Sequence, residues 1–417
     1  MVEAARAFHE RAGLALPETN GAVIEVAHQP LFLPSPGFFE KIALGCWLAE
    51  KRKGVCVFGF VDDDYALFPA LWSARLPARN KKGFEKIGFD YEPQRKAFFV
   101  LPKPSPAQVK TVGEKTGLSE LLEESWRRAL SLSEFNAITA ASVCESLGLR
   151  PLFFEYSKLP CAAFDAQTDF FKEKQREFAA AFNESLKKRG VSGIKPLKED
   201  ELPLWRVKRD GSKQTLFAGE KLAAGERVAF KAVARNIAFA SLLGSSAYVS
   251  GAGALSEERG YAAVAHDVAR SLGVREPETF VWRNTNVYHA ASKGESGAPE
   301  LEREVTALKA VLDEAKKREA GLLAERGKGK IIPEKALASA HREKKAAERA
   351  FQRKQGELLA LRAAERLEKQ ATLYSIADLL AVVDAKKICA KWFASLDAAQ
   401  PARKEFFVEY STVTRFI

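Results

Sequence analysis

Along the first 296 residues the apolar positions switch between two rhythms, and the switching predicts strands and helices in turn. Val23 to Ala27 is a short β-rich run, and His28 to Gly37 carries three prolines and reads as loop. Phe38 to Lys51 has helical apolar spacing, and Val55 to Val61 is apolar throughout. Strands that are apolar on both faces and alternate with helices imply a parallel sheet covered on both sides.

A largely helical stretch follows from about Ser105 to Leu149, with breaks at Gly117 and near Ser131, and then a strand from Pro151 to Tyr156. A helix is expected from Asp165 or Thr168 to Gly190. In LPLWRVKRDGSKQTLF two strand-like runs flank Asp210-Gly211, a hairpin signal. Val228 to Leu243 reads as helix, Ala247 to Ser250 as strand, Ser256 to Leu272 as helix and Thr279 to Arg283 as strand. The core is therefore expected to hold two α/β portions separated by a mostly helical stretch.

Beyond Gly297 the pattern changes to one rich in Ala, Glu, Lys, Arg and Leu, interrupted by GKGKIIP at 327–333. Val305, Leu308, Leu312, Ala315 and Leu322 are spaced alternately by three and four, with Glu319 filling one slot of the heptad. Leu337, Ala340, Ala347, Phe351, Leu358 and Leu361 follow a similar rule. Two helices of roughly 25 and 38 residues are expected to form an antiparallel coiled-coil hairpin, about 40 Å long at 1.5 Å per residue. The tail from Leu373 resumes mixed character, with a helix through about Trp392 and a strand-like FFVEYSTV, and is expected to return to the core. The expected division is a core at 1–296, the hairpin at 297–372 and a C-terminal segment at 373–417.

Composition narrows the class. Of the 417 residues 47% are hydrophobic and 29% charged, enough apolar material for a core. No run approaches the roughly 18 apolar residues of a membrane span, and MVEAARAFHERAGLALPE lacks the grammar of a secretory signal, so a cytoplasmic protein is expected. Five widely spaced cysteines, mostly in apolar runs, suggest buried thiols rather than disulfides or a zinc site. The net charge of +11 makes an anionic partner plausible without choosing among nucleotide, sugar phosphate, carboxylate and RNA.

Ligands of parallel α/β sheets gather at the carboxyl ends of strands, beside helix N-termini that favour anions. Three clusters fall at such positions. His28 and Gln29 follow the first strand, with Lys41 on the next helix; a neutral imidazole there can shuttle a proton, or simply cap a proline turn. Asp62-Asp63-Asp64 ends the second strand and can hold Mg²⁺, bind an amine, supply a general base, or merely cap a helix. Gly251-Ala252-Gly253, followed by Glu258 and Tyr261, lets a backbone approach a ligand closely, although a plain tight turn explains it nearly as well. Arg235 sits upstream on a helix and can grip phosphate or carboxylate. No serine elbow, Walker loop or HExxH occurs, and His266 and His289 lack ligand-spaced companions, so no metal site is assigned.

These clusters, in this order, resemble the bacillithiol biosynthesis cysteine-adding enzymes (BshC, cysteine ligases). The likeness is carried by AHQPLFLPSPGFFEKIALGCWLA with Lys41, by VCVFGFVDDDYAL, by LPLWRVKRDG followed by KAVARN with Arg235, and by AYVSGAGALSEERGYAAVAHDVARSLGVREPETFVWR. The last matches at Tyr248, Gly251, Gly253, Glu258, Tyr261 and Arg283. The likeness is patchy over residues 20–372, and the order of motifs carries it. Asp63 stands where the family has histidine, four residues are inserted before Glu258, the family's Gln-Glu-Arg signature after the coiled coil is missing, and the chain is shorter than typical members.

The resemblance implies a Rossmann-like core related to nucleotidyltransferases, a coiled coil that dimerises, and a ligase that joins cysteine to glucosaminyl malate. On that basis His28, Asp62 and Asp64 are the catalytic candidates. Gln29, Lys41, Arg235, Glu258, Tyr261 and Arg283 are the substrate-binding candidates, and Gly251 and Gly253 the nucleotide-binding ones, with ATP or ADP as cofactor and Mg²⁺ as an optional companion. The competing expectation is a non-catalytic adaptor that binds nucleic acid or protein through the hairpin, where 18 lysines and arginines face 12 aspartates and glutamates between Leu301 and Gln370. Opposite charges alternate along both helices as on ordinary coiled-coil flanks, which favours a homodimerisation arm.

Overall fold

The computed structural model of the chain describes residues 1–77, 84–251, 260–287, 298–366 and 375–416. Its strands are β1 (Val23–His28), β2 (Val55–Phe60), β3 (Ser73–Pro77), β4 (Phe84–Gly88), β5 (Leu152–Glu155), β6 (Glu201–Val207), β7 (Lys213–Phe217), β8 (Arg227–Phe230), β9 (Ala247–Ser250), β10 (Glu278–Val287), β11 (Ala402–Lys404) and β12 (Phe407–Arg415). Seven of them form one sheet in the order β11-β12-β10-β9-β1-β2-β5, parallel throughout except for β11 against β12. Taken in chain order, the six parallel strands read 3-2-1-4-5-6 from the β5 edge, the doubly wound Rossmann order.

The period-two rule explains how the sheet is buried on both sides. Ile24, Val26, Cys56, Phe58 and Phe60 face one core, made with the helices Pro36–Lys51, Leu132–Leu147 and Ala385–Asp397. Val55, Val57, Leu152 and Phe154 face the other, made with Gln175–Arg189, Ala232–Leu243 and Tyr261–Ser271. Because β2 is buried at every position, its sequence VCVFGF shows no polar alternation.

Several boundaries differ from the sequence pattern for identifiable reasons. The two α/β portions meet in one sheet, with β9 lying directly beside β1. Val228 begins no helix, because Arg227–Phe230 pairs with β6 before the helix Ala232–Leu243 starts. The single helix expected over 165–190 is broken at Lys174 into Asp165–Glu173 and Gln175–Arg189, with the buried Gln175 amide donating to the Glu199 carbonyl. β10 runs on to Val287 because β12 pairs along its whole length. Through β12 and the helix Ala385–Asp397, the C-terminal segment joins the sheet and one of its cores.

Two long helices, Ala298–Gly327 and Glu334–Arg366, run antiparallel. Leu312, Ala340, Ala347 and Leu358 are buried between them. Cross-helix pairs fix the direction: Lys354 to Glu304 at 2.9 Å, Arg318 to Glu343 at 2.8 Å, and Glu319 to both His341, at 2.7 Å, and Lys344. Glu319, which interrupts the apolar heptad, is thus paired with Lys344 and His341 of the other helix. Among the described residues no helix is long and apolar enough to cross a membrane.

Candidate functional site

In a doubly wound sheet the ligand crevice lies where the strand order reverses, here between the carboxyl ends of β1 and β9. β1 ends at His28, β9 ends one residue before Gly251, and the aspartates follow β2 immediately. Asp64 is the hub of this edge. Its carboxylate accepts from Gln29 Nε2 at 3.0 Å and from the Arg235 guanidinium at 3.0 and 3.4 Å. Burial alone pushes Asp64 up, but Arg235 and Lys213 outweigh it and hold the carboxyl below its ordinary value. Arg235, buried on the helix Ala232–Leu243, is raised in turn by Asp64 and Asp63 against its own burial.

The other two aspartates point elsewhere. Asp62 is turned toward the end of β5, where it accepts the Ser157 backbone N–H at 2.8 Å and the Ser157 hydroxyl. Burial raises it to about 7. Asp63 lies 3.6 Å from Arg235, and Lys213 donates to the Asp63 carbonyl at 2.7 Å. Burial raises Asp63 despite these cations. The triplet is therefore neutralised by Arg235, Lys213 and the Ser157 turn rather than open as a unit. Among the described residues no group of three or more His, Cys, Asp or Glu side chains is disposed to hold a metal ion.

His28 and Lys41 continue the edge toward β9. His28 Nδ1 lies 3.0 Å from the Gln29 carbonyl, which can only accept, so Nδ1 carries the proton and Nε2 keeps its lone pair. Burial, with Lys41 adding to it, lowers His28 to about 3, and the ring is neutral at pH 7. Lys41 reaches from its helix back to the Ala27 carbonyl at 2.8 Å, and burial lowers its ammonium to about 7. Beyond Lys41 opens a cleft of about 670 Å³ at the carboxyl ends of β9 and β10, walled by Gly37, Lys41, Gly251, Arg283 and Asn284. The helix carrying Lys41 starts at Pro36 with no side-chain cap, leaving first-turn amides available to an anion.

Of the remaining candidates, Tyr261 hydrogen-bonds Tyr248 near Arg235. Arg283 stands on the far wall of the cleft, half exposed and paired with Glu409. Gly253 and Glu258 lie outside the described residues. His266 is hydrogen-bonded rather than free, its Nδ1 meeting Glu276 at 2.5 Å and its Nε2 meeting Thr279 at 2.7 Å, on the opposite face of β9 and β10 from the cleft's Trp282 and toward their amino ends.

Sequence reading passed over Lys213 and, beside Lys41, Glu40. Glu40 lines the same cleft, and burial raises it to about 7. A Glu-Lys pair in the otherwise apolar stretch PGFFEKIALGCWLA was the available signal.

No family model and no curated protein matches the chain. A solved structure with some likeness is a glutamate tRNA ligase from Elizabethkingia meningosepticum in complex with its amino acid, at 10% identity and a TM-score of 0.31. The match covers 66% of this chain and 52% of that one, so the chain spans about half the length of that protein.

Proposed function

We propose that the chain is an amine-to-carboxylate ligase that uses a nucleotide, of the kind represented by the cysteine-adding enzymes of bacillithiol biosynthesis. The observation that carries this reading is the cleft of about 670 Å³ at the carboxyl ends of β9 and β10, next to the strand-order reversal, whose walls hold a buried amine (Lys41) and an arginine (Arg283). Both groups suit carboxylate or phosphate, and the uncapped helix start beside Gly37 adds amides for an anion. Neutral His28 offers Nε2 as a hydrogen-bond acceptor, while Arg235 and Asp64 fix Gln29 at the crevice. ATP or ADP is the nucleotide and Mg²⁺ its companion, with cysteine supplying the carboxylate and an amino-sugar conjugate the amine.

In the same reading the chain divides at 1–296, 297–372 and 373–417 and works in the cytoplasm, and the long helical pair joins two copies as a coiled coil. Val311 and Leu323, each more than half exposed on the first of these helices, offer apolar surface for that contact. The adaptor reading is less well supported, because Arg318, Lys344 and Lys354 already pair with glutamates across the two helices. The test is a melting-temperature titration with ATP, ADP and cysteine, followed by mass spectrometry of ATP, cysteine and glucosaminyl malate mixtures. ATP is expected to raise the melting temperature of the native chain and not of Asp64→Ala. A native chain indifferent to all three ligands sinks the proposal.

A further inference from the structure

Glu40 is the carboxyl group most thoroughly prepared for chemistry on the cleft wall. It follows Gly37 by one helical turn, and both residues line the cleft. Its Oε1 accepts from Asn286 Nδ2. The direction of that amide is fixed independently, since Asn286 Oδ1 accepts from Trp392 Nε1 at 2.9 Å and from Asn284 Nδ2 at 3.0 Å. Asn284 is anchored in turn, its oxygen accepting from Thr412 at 2.8 Å and Thr414 at 3.1 Å. The ladder thus holds Glu40 through the side chains of Asn286 and Asn284, with Oε2 on the side of Gly37, where a Cβ on that glycine would lie 4.0 Å away. Among the described residues, the charged groups nearby are Lys41 on the same helix, Arg283 on β10 and Glu409 on β12; Arg283 and Glu409 pair with each other, and Lys41 is held by Ala27. Burial also sets this carboxyl near neutrality, where a general base works best.

We infer that Glu40 is the proton acceptor for the amine nucleophile, an inference that rests on the ligase reading above. The substrate ammonium sits in the cleft against Oε2 and gives one proton to it. The freed nitrogen lone pair forms the C–N bond with the carbonyl carbon of an acyl phosphate or acyl adenylate, the activated carboxylate that ATP provides. The phosphate-type leaving group departs with the electron pair of its C–O bond, and the second amine proton passes to water. Lys41 stays on the Ala27 carbonyl and faces the anionic partner.

The test is amide formation from ATP, cysteine and the amino-sugar acceptor as a function of pH, for the native chain, Glu40→Gln and Glu40→Asp. Glu40→Gln keeps an oxygen for Asn286 but cannot take a proton, so kcat is expected to fall about 10²–10⁴-fold, with the ATP-induced melting shift unchanged. The native profile is expected to rise through a limb near pH 7; Glu40→Gln loses that limb, and Glu40→Asp keeps it at reduced kcat. A native chain that forms no ATP-dependent product overturns the ligase reading and this assignment together. A native chain that does, beside a Glu40→Gln with kcat within threefold and the same limb, overturns the assignment alone. Should Glu40→Gln misfold by circular dichroism, the native profile decides, and absence of the limb overturns the assignment.

Discussion

Arg235 bridges to Asp64 with both terminal nitrogens, 3.0 and 3.4 Å from the two carboxylate oxygens, across 171 positions of sequence. The pair ties the helix before β9 to the end of β2 and spans the crevice between the sheet's two halves. Arg235→Ala leaves Asp64 buried and undercompensated, so unfolding free energy is expected to drop by about 3–5 kcal/mol at pH 7. The sign with pH follows from Asp64, whose folded value lies below the usual 3.8. Its contribution is present above pH 3.8 and is lost as pH falls through the depressed value. Urea melts are therefore expected to separate native and variant chains widely at pH 7 and less at the lowest pH at which the native chain stays folded. An equal gap at both would show that the guanidinium acts by packing alone.

Lys41 gives the opposite pH dependence. Its folded value is lowered from 10.5 to about 7 by burial, so below pH 7 the folded chain carries a charge it would rather shed. As pH rises from 7 toward 10.5 the folded amine loses its proton while the unfolded one keeps it, and the penalty fades. Lys41→Met removes the penalty, on the order of 5 kcal/mol at about 1.4 kcal/mol per unit, less the lost bond to Ala27. The variant is expected to be more stable than the native chain at pH 6, with the advantage shrinking by pH 10. A constant difference between the two melts would contradict the lowered value.

What could be read from the chain and what could not divides by range. His28 and the aspartates were legible at strand ends because apolar runs stop there, and a strand's end is a local signal. The direction of Asp62 was not, because Ser157, 95 positions away, turns it inward. Glu40 was passed over because its partner Asn286 is 246 positions distant and only the sheet order brings them together. β8 was taken into a helix because Val228-Ala229-Phe230 fits either period, and pairing with β6 decided it. That both halves share one sheet depends on β9 lying beside β1, a contact across more than 200 residues that no local pattern encodes.

Gly45 sets how closely the helix of Glu40 and Lys41 lies on the sheet. A Cβ there would stand 2.6 Å from Val26 Cγ2 and 2.8 Å from Cys56 Sγ, inside contact distance. Gly45→Ala gains about 1 kcal/mol of helix propensity but forces an overpacked core that costs about 1–3 kcal/mol. A net loss of stability is expected, together with a weaker response to ATP as Lys41 is pushed off Ala27. Adding Val26→Ala opens the space and is expected to restore part of both. Thermal melts of the single and double variants check the claim, and a single variant as stable as the native chain refutes it.

The thiols should separate into one fast reagent target and a slow remainder. Cys161 is exposed, Cys46 is half-buried, and Cys56, Cys144 and Cys389 are buried in the core between sheet and helices. Burial pushes the Cys56 and Cys144 thiols well up and Cys389 to about 12, so neither access nor thiolate fraction favours them. Ellman's reagent is expected to titrate Cys161 first, with Cys46 slower and the other three only once the chain unfolds. Cys161→Ser is expected to remove the fast phase and leave the total released in denaturant one thiol lower. If Cys56 or Cys144 reacts in the native chain at the rate of Cys161, the helix Pro36–Lys51 opens far more readily than its packing on β1 and β2 allows, and the closed wall of the cleft described here is not the resting state.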